Sequence, residues 1–295
     1  RELLEPTHIG PDTPPPVDDL HIGIITTDMG TAGYSIQTCD EPMFGDNGIL
    51  RNTSNSAGCE DRYNATECDH EECPWLSHSL SHPDDRRDPS NPPIWEDFAC
   101  LSQIGTRGCG FEQPLEASYV ALTAQSQPGQ PNEGFLRPDS LLAIVYVTNE
   151  DDCSTPNGEM FNPARTDLGP LNLRCAFHED QLYPIERYHD AFVSLRGGNE
   201  DRVVVAAIAG VPLDGTWSLG DPIERLRELR RVDPLNPDEL ERTCDTMGAE
   251  AWPPVRLAEL VDSFGDNGIL HSICRDSWAD SFQPLIQRLQ SRLEN

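Results

Sequence analysis

The chain has 295 residues, a formal net charge of −30 and a pI near 4.4. It contains ten cysteines and no lysine, so every fixed cation is an arginine. Such a chain offers no basic face for phosphates, which excludes nucleic acid as a partner and argues against anionic membrane surfaces. No apolar run of about 18 residues is present to span a bilayer.

Residues 1–5 read as the tail of a helix, and the PDTPPP run after it as a stiff connection. Residues 20–27, LHIGIITT, form a strand. Residues 28–93 hold Cys39, Cys59, Cys68 and Cys73 among many Asn, Ser, Asp and Pro. They read as a disulfide-tied insertion with an edge strand near 48–51. A short amphipathic helix over 94–104 follows, then the glycine loop GTRGCG, then a helix over 112–125 with Pro114 in its first turn.

Residues 141–148 form a continuous apolar strand, and 153–183 a second loop insertion. Residues 184–195 are helical, ended by Gly197 and Gly198. A second buried strand, RVVVAAI, covers 202–208. Residues 211–252 are irregular except for a charged helix over 222–231. A helix over 253–264, a strand over 269–274 and a long closing helix over 277–293 complete the chain. Trp278, Phe282, Leu285, Ile286 and Leu289 share one face of that last helix. Strands alternate with helices, which predicts an α/β fold: a doubly wound, mostly parallel sheet with helices on both faces. Ile22–Ile25, Ala143–Val147 and Val203–Ala207 are expected as adjacent or near-adjacent parallel strands.

The most informative run is LLAIVYVTNEDDCS, residues 141–154. A buried strand there breaks into Thr148, Asn149, Glu150, Asp151 and Asp152. Open α/β sheets build sites at the carboxyl ends of their strands, and hard cations such as Mg²⁺ and Ca²⁺ take oxygen ligands of these types. A solvated acidic loop is the competing reading.

The cysteine count is even and includes no CxxC pair. It predicts up to five disulfides and an oxidising compartment: extracellular, periplasmic or at the outer cell surface. The expected local pairs are Cys100–Cys109, Cys153–Cys175 and Cys244–Cys274, with Cys39, Cys59, Cys68 and Cys73 tying the insertion. Cys68 and Cys73, flanking Asp69, His70, Glu71 and Glu72, leave a zinc site as the alternative. Asn52 and Asn64 begin glycosylation sequons. The heptapeptide FGDNGIL occurs twice, at 44–50 and 264–270. Its Asp-Asn-Gly core is a tight-turn signal, and two similar turns account for it. HExxH, GxSxG and GxxxxGK[ST] are all absent, so the reading is not an enzyme.

Five stretches taken together resemble a known family: LHIGIITTDMGTAGY, IGTRGCGFEQPLEASYVAL, GFLRPDSLLAIVYVTNEDDCS, VVVAAIAGVP and FGDNGILHSIC. The chain resembles a von Willebrand factor A domain, of the cysteine-rich secreted or lipoprotein type found in GC-rich, myxobacteria-like bacteria. The resemblance spans residues 20–295, with residues 1–19 as the end of a truncated first helix and its Pro-rich connection. It implies a cell-adhesion or protein-binding role through a metal ion held by three loops. The residues implied as ligands are Asp28, Glu112, Thr148, Asn149, Asp151 and Asp152, holding Mg²⁺ or Ca²⁺. The chain departs from the family pattern. No DxSxS precedes residue 20, Glu112 stands where a Thr is expected, and the expected Thr-Asp pair is Thr148-Asn149.

In that family the first strand lies at the centre of the sheet. The resemblance therefore implies a strand between residues 20–27 and 141–148. It would come from a preceding segment, a cleaved N-terminal peptide or a strand-donating partner chain. The expected function is an extracellular or cell-surface module binding a protein or surface ligand. The alternative is a structural subunit of an extracellular assembly with no metal role.

Overall fold

The computed structural model describes residues 3–4, 16–51, 53, 74–79, 94–106, 108–213, 221–246, 249–275 and 279–293. The strands are β1 (Asp19–Ile22), β2 (Leu76–Ser79), β3 (Leu142–Val147), β4 (Val203–Ala209), β5 (Cys244–Thr246), β6 (Ala249–Ala251) and β7 (Gly268–Ser272). The helices are α1 (Ile94–Leu101), α2 (Pro114–Leu122), α3 (Arg174–Phe177), α4 (Ile185–Ser194), α5 (Pro222–Leu229), α6 (Val255–Ser263) and α7 (Ala279–Leu293). Short 3₁₀ turns join several of them.

The centre is a three-stranded parallel sheet in the order β3–β4–β7. Leu142 sits opposite Val203, and Val205 opposite Gly268. β4 is buried at every position, as its unbroken apolar sequence requires. Its two faces serve two layers. Val203, Val205, Ala207 and Ala209 pack with Leu115 of α2, Tyr188 and Phe192 of α4, and Leu257 and Leu260 of α6. Val204 and Ala206 pack against Leu285 and Leu289 of α7. Each fully buried Val, Leu or Phe side chain of this kind contributes roughly 1.5–3 kcal/mol.

β3 behaves differently. Leu142, Ile144 and Tyr146 join the α2/α4 layer, but Ala143, Val145 and Val147 are exposed. Val145 and Val147 show 39% and 45% of their surface. Among the described residues β3 pairs with β4 alone. Residues 20–27 do not join this sheet as a parallel strand, contrary to expectation. Only Asp19–Ile22 is a strand, and it pairs antiparallel with β2. Residues 48–51 contribute no strand; the partner is Leu76–Ser79, a Ser/His-containing run whose sequence gives little strand signal.

Helix α2 lies over both parts. Its Leu115 and Leu122 pack on β3, while the Gln113 N–H just before it donates to the Thr27 carbonyl at 3.0 Å. Phe135 joins the same layer and stacks near the His21 and Trp75 rings. A helix is about 10 Å across, roughly two strand spacings.

Cys153–Cys175 and Cys244–Cys274 form as expected. Cys100–Cys109 does not. Cys109 bonds Cys39 across 70 positions, because the Asp28 loop brings the start of the insertion onto the GCG turn. Cys100 is disulfide-bonded too, and no described cysteine is free. Cys59, Cys68, Cys73, residues 69–72 and both sequon asparagines lie outside the described residues. Among the described residues no helix is long and apolar enough to cross a membrane.

Candidate functional site

β3 ends at Val147, and the chain turns at once. The Glu150 N–H donates to Thr148 Oγ1 at 3.1 Å, closing a hydroxyl-capped turn. Asp151 and Asp152 then point to two different helices. Neither helix has a side-chain cap of its own: α2 opens with Pro114 after Gln113, and α6 opens with Val255 after Pro254. Their first N–H groups need acceptors from elsewhere.

Asp151 supplies them for α6. Its carboxylate accepts from the N–H groups of Arg256 at 3.0 Å and Leu257 at 3.3 Å, and from the Arg230 guanidinium. Asp152 supplies them for α2. Its Oδ1 accepts from the Leu115 N–H at 3.0 Å, and Ser154 Oγ accepts from the Glu116 N–H at 2.9 Å. Its Oδ2 accepts from Arg256 Nε at 3.0 Å and from the Ser154 N–H at 3.1 Å. Asp152 is buried. Burial pushes its carboxyl up, against the opposing pull of Arg256 and of hydrogen bonds from Ser154 and Leu115.

The expected ligand residues therefore divide. Asp151 and Asp152 spend their oxygens on helix ends and guanidinium groups, which does not suit them to a cation. Asp28 does similar work in its own loop, accepting from the N–H groups of Gly30 at 2.9 Å and Cys109 at 3.1 Å. Asn149 ties down a neighbouring segment: its Nδ2 donates to the Glu250 carbonyl at 3.0 Å, and its carbonyl accepts from the Trp252 N–H at 2.9 Å. Thr148 holds the turn. Among the described residues, no group of three or more His, Cys, Asp or Glu is arranged to hold a metal ion.

Glu112 and Glu150 are the carboxylates with room beside them. They line a cavity of about 200 Å³ with Glu239, Trp252, Phe111 and the Cys153–Cys175 disulfide. Burial, then the charge of Glu112, then that of Glu239 push the Glu150 carboxyl up to about 7. Glu112 is also raised, by burial and by Asp28, against the hydrogen bond it accepts from Thr27. Arg230 reaches the cavity wall, but its guanidinium is engaged by Asp151 and Glu179. A cationic or protonated group entering here would relieve the repulsion. A larger open groove, about 670 Å³, runs past Glu179, Glu186, His189 and Glu259.

No sequence pattern assigns Glu239, Trp252, Arg230 or Arg256 to the site. For Arg256 a weak signal existed: it follows Pro253 and Pro254 at the start of a helix that offers no Ser, Thr, Asp or Asn as its cap. Glu239 and Trp252 sit in the irregular 211–252 stretch, where no periodicity points to a shared cavity. Comparison of the chain with family models, with curated proteins and with solved structures finds no match.

Proposed function

We propose that this protein is a disulfide-framed binding module of the extracellular or cell-surface space. It takes a protein or surface ligand at the carboxyl end of its parallel strands. The observation that carries the reading is the cavity shared by Glu112, Glu150 and Glu239, where burial and then the charges of Glu112 and Glu239 raise the Glu150 carboxyl, and burial and then Asp28 raise that of Glu112. A cationic group stabilises such a site more than any neutral one. Mg²⁺ or Ca²⁺ would be held by Glu112 and Glu150, where it would neutralise charge and offer an open position to a ligand oxygen. The disulfides among the described residues support an oxidising compartment. The A-domain resemblance supports the same reading, with the doubly wound sheet it implies.

Titration calorimetry with CaCl₂ and MgCl₂ tests the cation. Wild type should give a saturable heat and a rise in Tm that grows with cation concentration. The Glu112→Gln/Glu150→Gln variant should lose both. Equal heats in the two proteins would remove the cavity from the reading.

A second reading, a structural subunit completed by strand exchange, is favoured by the edge of β3. That edge lacks a partner among the described residues, and α2, which packs on β3, is tied to Thr27 by Gln113 just before it. The backbone groups of the edge call for another extended backbone, supplied by a preceding segment, a cleaved peptide or a neighbouring chain. Hydrogen exchange across residues 142–147, read together with mass by light scattering, tests it. Slow exchange at every one of these amides in a monodisperse chain of 32.8 kDa would end this reading.

A further inference from the structure

The two FGDNGIL copies meet opposite fates. In the second, the Phe264 ring is 1% exposed, packed in the main core and 4.7 Å from the His189 ring. In the first, Phe44 is 66% exposed, and Met43 beside it 56%.

This exposure rests on a rigid loop. The N–H groups of Thr31 and Gly33 both donate to the Pro42 carbonyl, at 2.7 and 2.8 Å. The Gly45 N–H donates to the Glu41 carbonyl, and the Asp46 N–H to the Asp28 carbonyl, each at 2.9 Å. Thr26 Oγ1 donates to Asp46 Oδ2 at 2.6 Å. Asn132 closes the far end, with Nδ2 donating to the Gly48 carbonyl at 2.9 Å and Oδ1 accepting from the Leu50 N–H at 3.0 Å. The Cys39–Cys109 disulfide fastens the near end. Gly45 has φ +54°, and a Cβ there would run into the Asp28 carboxylate.

We propose that Met43 and Phe44 form a preorganised apolar anchor for a protein partner whose apolar pocket is rimmed by arginine or lysine. The loop is already ordered, so binding loses little backbone freedom. An exposed aromatic on a fixed backbone has the character of an interface hot spot. The rim follows from charge: Asp40 and Glu41 flank the tip and are exposed, while Asp46 shares its charge with Arg51 at 3.6 Å. In a chain of net charge −30 an acidic partner is repelled and a basic rim attracted. Anionic lipid is excluded on the same ground. The inference does not rest on the cavity at Glu150, and the two are separable by mutation.

The experiment selects a random peptide display library against the disulfide-intact full chain. Enriched peptides are then titrated against wild type and the Phe44→Ser, Glu41→Arg and Glu150→Gln variants. The expected peptides combine an aromatic or aliphatic residue with arginine or lysine. Their affinity should fall at least about tenfold on Phe44→Ser, fall on Glu41→Arg and in raised salt, and stay unchanged on Glu150→Gln. Three outcomes overturn the proposal: no enriched peptide, peptides without basic residues, or binding indifferent to both Phe44→Ser and Glu41→Arg. Phosphatidylcholine vesicles that bind wild type but not Phe44→Ser would also overturn it, by assigning the tip to lipid. Circular dichroism confirms that the variants fold. Glu41→Arg keeps the test decisive if Phe44→Ser does not.

Discussion

Arg256 reaches both neighbouring acids of the β3 loop by different atoms: its backbone N–H donates to Asp151, and its side-chain Nε to Asp152. One residue near the start of α6 thus locks the helix to the loop and neutralises a buried carboxylate. Replacing Arg256 by Met keeps the backbone bond to Asp151 and leaves Asp152 buried without its cation. The expected loss is about 3–5 kcal/mol, read as a fall in urea midpoint at unchanged slope. A loss below about 1 kcal/mol would show that Asp152 takes up a proton at little cost.

The Glu150 carboxyl sits at about 7 in the folded protein, above its ordinary 4.5. The folded state therefore holds a proton that the unfolded state has released. Stability from this group is complete below pH 4.5 and lost as pH rises through about 7. Glu150→Gln stays neutral and escapes the loss. Its stability relative to wild type should grow between about pH 5 and pH 8, as measured by urea unfolding at each pH. A difference that stays flat across that range contradicts the raised value.

The heptapeptide repeat supplies an internal control. Gly45 and Gly265 have φ of +54° and +51°, so alanine strains both backbones by about 1–2 kcal/mol. At Gly265 an added Cβ meets nothing within 4 Å, whereas at Gly45 it meets Asp28 and, at 2.6 Å, the Gly30 nitrogen. Gly45→Ala should cost about 1–3 kcal/mol more than Gly265→Ala. Paired thermal melts of the two variants measure the gap, and equal melts would mean that the Asp28 loop is soft.

Cys153–Cys175 closes a loop across 22 positions and lines the cavity. Replacing both cysteines by serine should destabilise by about 2–4 kcal/mol and loosen the wall beside Glu150. Urea unfolding gives the first effect, and a Glu150 titration followed by NMR, moved toward 4.5, gives the second.

The parallel sheet was legible because its signal is one-dimensional. An unbroken run such as RVVVAAI, short and rich in valine, reads as a buried strand rather than a helix, and β4 is one, buried at every position. Two of the three expected local disulfides were legible because each bridges one loop beside a helix or strand end. The third failed because Cys39 meets Cys109 through the Asp28 turn, a contact between residues 70 positions apart. The acidic run reads as cation ligands or as a solvated loop after a strand, and it does follow β3, which ends at Val147. What it could not announce was the use of Asp151 and Asp152. That depends on two helices whose N-caps, Gln113 and Pro254, supply no side-chain acceptor, and on where Arg256 points once they fold.

The Cys39–Cys109 bond also bears on how the protein survives among proteases. It joins the chain on either side of residues 40–108, so a single cut anywhere in that stretch divides the backbone without releasing a piece. Such a nicked molecule would run as one species on a non-reducing gel and as two after reduction. Biological clipping of the insertion would pass unnoticed by size alone, and the mature form is best judged under reducing conditions.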